Sequence, residues 1–167
     1  TQSRHLPAGL LSVGAVAGFT TVCSLAFVAG TLLFLPANPI PLYASAPVLL
    51  FLFGYSYAKR FTALSHVWLG ASLMLAPLAA WVAIRAELAW APVVLGAAVL
   101  LWVVGFDILY ACQDYEFDVR MRLHSVPSRW GVAAALRVAA ACHFGMVGLL
   151  LALPLVYDGF GVVWLSG

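Results

Sequence analysis

The sequence predicts an all-α fold, a multi-span bundle of transmembrane helices, and two features of the composition lead to this prediction. Of the 167 residues, 65% are apolar and only 8% are charged, and the mean hydropathy is +1.05. No Asp, Glu, Lys or Arg lies between Arg4 and Lys59, whereas a helix needs only about 20 apolar residues to cross a bilayer. Because these values lie outside the usual range for a water-soluble domain, we expect an integral membrane protein.

Five apolar segments, separated by proline, glycine and the few charged residues, are candidates for membrane spans. Hydrocarbon offers no partner to a backbone amide, so these segments should be helices. The second segment is the shortest and has Pro47 near its start. Since apolar segments recur to the C-terminus, we expect no cleavable targeting segment. The predicted spans cover residues 9–35, 43–57, 66–84, 91–110 and 132–156.

The basic residues are distributed unevenly among the connections between these spans. Alternate connections carry most of them, and short cytoplasmic loops are the ones enriched in Lys and Arg. The N-terminus is therefore predicted to be cytoplasmic, and with it the loops after spans two and four. The residues concerned are Arg4, Lys59, Arg60, Arg120, Arg122 and Arg129.

Composition also excludes several classes of function. With a net charge of +2, the basic residues are explained as helix ends, and we expect no nucleic-acid partner. Three cysteines without paired spacing indicate neither disulfides nor zinc. No obligate protein partner is evident, and the lipid bilayer is the expected environment. Five tryptophans lie mostly near the proposed membrane interfaces and are predicted to be bilayer anchors: Trp68, Trp81, Trp90, Trp102 and Trp130.

Most of the acidic residues lie in one stretch, residues 106–131, which begins at the end of span four. If residues 107–118 formed one continuous helix, Asp107, Tyr110, Asp114 and Asp118 would share a narrow stripe, and Glu116 would point away from it. Like charges four residues apart destabilise a helix by about 0.2–0.5 kcal/mol. The pair Asp114 and Asp118 therefore favours a bound cation.

Magnesium suits this pair, because it takes hard oxygen ligands, often only one or two carboxylates, together with water and substrate phosphate. A diphosphate substrate is implied. The alternative is that Asp114 and Asp118 are solvated loop acids paired with Arg120 and Arg122. Asp107 favours a functional site, because an acid near the end of a membrane span is costly to place there.

A second polar cluster, residues 55–66, is predicted to face the same side of the membrane. Tyr55 and Lys59 are four residues apart and could share a helix face. Lys59 and Arg60 could bind phosphate oxygens, Arg through a forked pair and Lys as a point charge. The alternative is that these basic residues only mark a cytoplasmic helix end.

These motifs resemble those of the UbiA-type intramembrane prenyltransferases, especially the 4-hydroxybenzoate polyprenyltransferase group and its naphthoate-using relatives. The run from Asp107 through Tyr110 to Asp114 and Asp118, followed by His-Ser-Val-Pro, is similar to the family's second aspartate-rich motif. The run Tyr55-x-x-x-Lys59-Arg60-x-Thr is similar to a cytoplasmic loop of the family. The opening Arg-His-Leu-Pro-x-Gly at residues 4–9 resembles the segment after the first aspartate-rich motif.

The resemblance implies a bundle of about nine transmembrane helices that opens toward the cytoplasm, of which this chain would supply roughly five. The first aspartate-rich motif is missing. We therefore expect residues 1–167 to be a single prenyltransferase domain that is incomplete at the N-terminus and the C-terminus. We also expect this polypeptide to be inactive by itself.

The implied reaction is an electrophilic aromatic alkylation in quinone biosynthesis, ubiquinone or menaquinone, in a bacterial cytoplasmic membrane. A polyprenyl diphosphate would ionise, and a ring carbon of 4-hydroxybenzoate or a dihydroxynaphthoate would attack the allylic cation. The resemblance assigns catalysis to Asp107, Asp114, Asp118 and Lys59, and Mg2+ to Asp114 and Asp118. It assigns the diphosphate to Lys59, Arg60, Tyr55 and Tyr110. Asp107 could instead hold an arginine of the acceptor pocket.

Two other classes of membrane protein could use such acids. An ion-coupled transporter would use the stripe to bind a cation or relay protons, but it predicts acids near the midplane, not at one face. A CDP-alcohol phosphotransferase also uses aspartates and a divalent metal, but its signature is absent from this sequence.

Overall fold

The computed structural model describes residues 9–58 and 60–157. Within these ranges the chain is all-α, with no strand, as the sequence predicts. Arg4 and Lys59, two residues to which the sequence analysis gave roles, lie outside the described residues. The helices are α1 (Val13–Thr31), α2 (Ile40–Ala58), α3 (Ser65–Arg85), α4 (Trp90–Gln113), α5 (Tyr115–Arg120), α6 (Val126–Trp130) and α7 (Val132–Ala152).

Five of the described helices are long and apolar enough to cross a membrane, and they coincide with the five predicted spans. A short 3-10 turn extends α1 to Phe34 and another extends α7 to Leu155, so the spans run Val13–Phe34, Ile40–Ala58, Ser65–Arg85, Trp90–Gln113 and Val132–Leu155. Pro47 lies inside α2 and not near its start, since α2 begins at Ile40. Apolar side chains cover most of these helices on every side, as expected for helices in lipid.

The chain divides into two compact units, Thr1–Leu49 and Leu50–Gly167. The first unit contains α1, the turn that follows it and the start of α2. Helix α1 begins at Ser12, whose hydroxyl accepts a hydrogen bond from the amide of Ala15 at 3.1 Å. This N-cap satisfies one of the amides that the first turn leaves unpaired.

Helix α4 is the centre of the second unit and packs along both α3 and α7. Glycines allow this close approach. A Cβ built on Gly70 of α3 would lie 2.7 Å from the carbonyl oxygen of Leu100, a backbone atom that cannot move aside. In a membrane protein, where water does not drive helices together, such small residues bring backbones into van der Waals contact.

The core of the second unit lies near the C-terminal half of α4. Its buried members come from α4, α6 and α7 and are Val104, Ile108, Val126, Ala135 and Ala139. The short helix α6 therefore contributes to the core, although five residues alone would form no stable helix in water. Packing against α4 and α7 holds this segment next to the acidic stretch.

Candidate functional site

Asp107 lies two turns before the end of α4, and its side chain is about one-fifth exposed. One of its carboxylate oxygens, Oδ2, lies 2.6 Å from Nδ1 of His66, the second residue of α3. His66 is fully buried. The acid that the sequence analysis placed near a membrane-span end thus has a hydrogen-bond partner on the neighbouring helix.

The hydrogen bond at Nε2 of His66 determines which ring nitrogen carries the proton. Nε2 of His66 accepts a hydrogen bond from the backbone amide of Val126 at 3.2 Å, so Nε2 carries no proton. A neutral imidazole has one N–H, and this proton must therefore lie on Nδ1 and be donated to Asp107. The imidazole joins three helices, since it belongs to α3, contacts α4 and holds the first residue of α6.

The helix that carries the acidic residues is interrupted at Asp114. Helix α4 ends at Gln113, Asp114 has φ −93° and ψ 9°, and α5 starts at Tyr115. The prediction of one continuous helix over residues 107–118 is therefore wrong. The interruption is small, because the amide of Asp118 still donates to the carbonyl of Asp114 at 2.8 Å.

The interruption leaves the two predicted metal ligands in different environments. Asp114 is exposed, whereas Asp118 is 2% exposed. Glu116 is exposed. A carboxylate as deeply buried as Asp118 is rare unless a partner compensates its charge.

Helix α5 ends in a Schellman motif with arginine at the left-handed position. The amide of Leu123 donates to the carbonyl of Asp118 at 2.8 Å, and the amide of Arg122 donates to the carbonyl of Val119 at 3.2 Å. Arg122 has φ +52°. Glycine is the usual residue at this position, because a side chain in the left-handed region costs energy.

Beside this turn lies an open cavity of about 470 Å³. Asp118 contributes to its wall, and so do three groups that are or can become cationic. The lining residues are Asp118, Val119, Arg122, Leu123, His124, Ser128 and Arg129. Two guanidinium groups can bind the oxygens of an anion such as a diphosphate, and the buried carboxylate beside them can bind a metal ion that accompanies this anion.

The segment from His124 to Pro127 is held by a capping box at the start of α6. The hydroxyl of Ser125 accepts from the amide of Ser128 at 3.3 Å, and the hydroxyl of Ser128 accepts from the amide of Ser125 at 2.9 Å. Ser125 is fully buried. This reciprocal pair fixes the loop that connects Asp118 to the amide on which His66 depends.

The predicted diphosphate ligands lie on α2, in the α2–α3 loop and on α4. Tyr55 is half-buried on α2, and Arg60 is exposed, with its guanidinium 5.5 Å from the ring centre of Tyr57. Tyr110 on α4 is 56% exposed and packs against Phe106 at 4.9 Å between ring centres. The exposed tyrosine and arginine are accessible to a ligand.

The residues fit magnesium by their chemistry. Asp114 and Asp118 offer hard carboxylate oxygens, and magnesium needs only one or two such ligands when water and phosphate complete its shell. Within residues 9–58 and 60–157, no three His, Cys, Asp or Glu side chains converge on one point. A cation at this site would therefore depend on its substrate for further ligands.

His66 and Ser125 belong to the site but were not assigned to it from the sequence. Histidine at the start of an apolar span is the signal that could have drawn attention to His66, because a buried imidazole needs partners. The partner itself lies 41 residues away. For Ser125, the spacing Ser-x-x-Ser before a short apolar run is a weak form of the capping signature.

The fold and this site define a helical membrane protein in which acidic and basic residues lie together near the C-terminal end of an apolar helix. Comparison with known proteins identifies the family. The sequence profile of the UbiA prenyltransferase family matches residues 1–167, and the chain belongs to this family.

The relatives agree with this assignment. A 4-hydroxybenzoate octaprenyltransferase from Marinobacter nauticus is 34% identical over 154 residues, and that of Hydrogenovibrio crunogenus is 31% identical over 166 residues. These alignments cover 89% and 99% of this chain but 51% and 55% of the relatives, so the chain spans about half the length of the curated relatives it matches.

A solved structure shows the same fold. It is the apo structure of a UbiA homolog from Aeropyrum pernix K1, with a TM-score of 0.82 and 31% sequence identity. The match covers 96% of this chain and 60% of that one. The predicted resemblance to the family and the all-α membrane fold are both confirmed.

Proposed function

We propose that the protein transfers a polyprenyl group from an allylic polyprenyl diphosphate to a ring carbon of a hydroxylated aromatic acid. The C–O bond to the diphosphate breaks, and the leaving group takes the electron pair. A C–C bond then forms between the allylic carbon and the ring, and the ring loses a proton to regain aromaticity. The acceptor is 4-hydroxybenzoate or a dihydroxynaphthoate, and the product is a quinone precursor.

The observation that carries this proposal is the environment of Asp118. It is a buried carboxylate at the wall of a cavity that Arg122 and Arg129 also line. A diphosphate bound with a cation carries charges of both signs and matches such a lining. Family membership and relatives named as 4-hydroxybenzoate octaprenyltransferases support the aromatic acceptor.

Magnesium is the cofactor that we propose for Asp114 and Asp118, and when bound it neutralises charge that develops on the departing diphosphate. Arg60 supplies further positive charge from the α2–α3 loop, and the sequence resemblance gives Lys59 the same role. Tyr55 and Tyr110 offer phenolic hydroxyls to phosphate oxygens and ring faces to a cation. Asp107 accepts hydrogen bonds at the same end of α4.

The location that we propose is the bacterial cytoplasmic membrane, with the site opening toward the cytoplasm. The support is the distribution of basic residues, because Arg60, Arg120, Arg122 and Arg129 all lie in the two connections between spans that the charge pattern predicts to be cytoplasmic. The resemblance to the family implies that a first aspartate-rich motif acts together with the second one. We propose that residues 1–167 alone do not catalyse.

The test uses membranes that contain the full-length gene product, supplied with a labelled polyprenyl diphosphate, Mg2+ and one of the two aromatic acids. We expect a prenylated acid that disappears with EDTA and returns with Mg2+. Asp114→Asn and Asp118→Asn should each lower the rate at least about a hundredfold, because loss of charge stabilisation in a catalytic site has effects of this size.

Glu116→Gln is the matched control, since it removes the same charge from the exposed side of α5. It should retain the wild-type rate within about twofold, as surface charge changes rarely matter more. If neither acid is prenylated although the membranes bind the labelled donor, the prenyltransferase proposal fails. Cation flux that Asp114→Asn abolishes would then favour a transporter.

A further inference from the structure

We propose that His66 is a positioning residue for the prenyl transfer. Its neutral imidazole fixes the carboxylate of Asp107 through Nδ1–H and the first residue of α6 through Nε2. This inference rests on the proposed function, because it concerns the site at which that reaction would occur. The two hydrogen bonds, at 2.6 Å and 3.2 Å, come from elements 41 and 60 residues away in the chain.

The hydrogen-bond partners of the imidazole select one tautomer. Val126 has a backbone N–H, which can only donate, so Nε2 of His66 must accept. A proton added to Nε2 would face this N–H and break the bond to α6. Nδ1 must therefore hold the proton, and Asp107 Oδ2 accepts it.

His66 acts through Asp107 and does not touch the substrate. Its side chain is fully buried, and both of its ring nitrogens are already engaged. Asp107 is about one-fifth exposed, and its carboxylate has no other hydrogen-bond partner among the described residues. The bond to Oδ2 thus sets the plane of the carboxylate and leaves Oδ1 to accept a hydrogen bond from a bound ligand.

The same ring also connects Asp107 with the loop that carries the rest of the site. Val126 starts α6, directly after the capping-box residue Ser125, and the loop residues Arg122, Leu123 and His124 line the cavity beside Asp118. The hydrogen bond to the amide of Val126 therefore fixes the position of this loop relative to α4. One residue thereby positions a carboxylate on α4 and the cavity wall after α5.

The experiment compares His66→Gln with His66→Leu, each with Asp107 intact and with Asp107→Asn, in the full-length gene product. Glutamine can donate to Asp107 with its amide N–H and accept from Val126 with its carbonyl, so it should keep kcat/KM for the aromatic acid within about threefold. Leucine makes neither bond and should lower kcat/KM about tenfold or more, the scale of a lost hydrogen bond to a charged group.

The decisive measurement is the coupling between the two residues. If His66 acts through Asp107, His66→Leu should change kcat/KM less than about twofold once Asp107→Asn is present. An equal loss in both backgrounds would mean that His66 only supports α6, and it would overturn the proposal. Wild-type activity in His66→Leu would also overturn it.

Two controls separate this result from misfolding and from failure of the proposed function. His143→Leu removes the imidazole of α7, which among the described residues hydrogen-bonds only to the carbonyl of Ala139 in its own helix, at 2.7 Å, and should leave kcat/KM unchanged. If His66→Leu does not fold, His66→Met fills the space with a flexible side chain that donates no hydrogen bond. Absence of product from the wild type sinks the function itself, whereas product with additive effects sinks only the role of His66.

Discussion

Gly105 of α4 lies directly against the imidazole of His143 on α7. A Cβ at residue 105 would be 2.6 Å from Cε1 of this ring and 3.0 Å from the carbonyl oxygen of Ala139. The ring cannot move freely, because Nδ1 of His143 donates to that same carbonyl. We predict that Gly105→Ala separates α4 from α7 and destabilises the protein by about 1–3 kcal/mol, the usual cost of overpacking.

Thermal unfolding of the detergent-solubilised protein measures this effect. Gly148→Ala is the matched control, because it adds a methyl group to α7 at a position where no neighbouring atom lies within 4 Å. It should be neutral or slightly stabilising, since alanine is the better helix former. Equal melting temperatures for Gly105→Ala and the wild type would contradict the close packing of α4 and α7.

Features of the fold that depend on nearby residues in the sequence could be predicted, whereas contacts between residues far apart in the sequence could not. The five spans were predicted correctly, because hydropathy and charge placement are local properties of a segment. Asp107 and Asp118 could be singled out as candidates in the same way, because acids stand out in an apolar chain, and their roles stay a prediction. Their partners could not be predicted from spacing.

The partners depend on tertiary packing. Nothing near His66 in the sequence indicates that its ring meets Asp107 and Val126. Likewise, the interruption at Asp114 follows from the packing of α5 and α6 beyond α4 and not from a proline or glycine. Trp68 was predicted to be a bilayer anchor, but its ring nitrogen donates to the carbonyl of Phe51 at 2.9 Å, so the tryptophan joins α3 to α2.

Arg122 provides a prediction in which stability and activity change in opposite directions. Its left-handed backbone, φ +52°, is the conformation that glycine adopts most easily. Arg122→Gly should therefore stabilise the protein by about 1 kcal/mol. It should at the same time weaken donor binding, because a cation is removed from the cavity wall beside Asp118.

Thermal unfolding and the KM for the polyprenyl diphosphate measure the two effects. Arg120→Gly is the comparison, since Arg120 is exposed in the last turn of α5 and helical glycine costs about 0.5–1 kcal/mol. It should lower stability where Arg122→Gly raises it. A loss of stability in both variants would show that the arginine side chain outweighs the strain of its backbone.

Ser125 tests the loop that follows Asp118. Ser125→Ala removes the hydroxyl that accepts from the amide of Ser128 in a fully buried capping box. We predict a loss of about 1 kcal/mol in stability, typical of a lost N-cap, and a fall in kcat, because the cavity wall loosens. Ser24→Ala is the control, since Ser24 lies inside α1, where its hydroxyl donates to the carbonyl of Thr20 in the same helix; an equal loss there would contradict the prediction.

Trp68 holds the end of α2 and thereby the loop that carries Arg60. Its ring stacks on Phe51 at 5.4 Å and meets Phe61 edge-on at 6.4 Å, while its Nε1–H donates to the carbonyl of Phe51. Trp68→Phe keeps an aromatic ring but loses this hydrogen bond. Since one such bond contributes about 1 kcal/mol, we predict that the α2–α3 loop opens about fivefold more often.

Limited trypsin digestion of the detergent-solubilised protein measures this opening, with mass spectrometry of the fragments that end at Arg60. Cleavage follows the population of the open loop when opening and closing are faster than proteolysis. Trp102→Phe is the control, because Trp102 is half-exposed on α4 and should leave cleavage at Arg60 unchanged. If both variants are cut as slowly as the wild type, the hydrogen bond from Trp68 does not hold the loop, and the stacked aromatic rings alone must position Arg60.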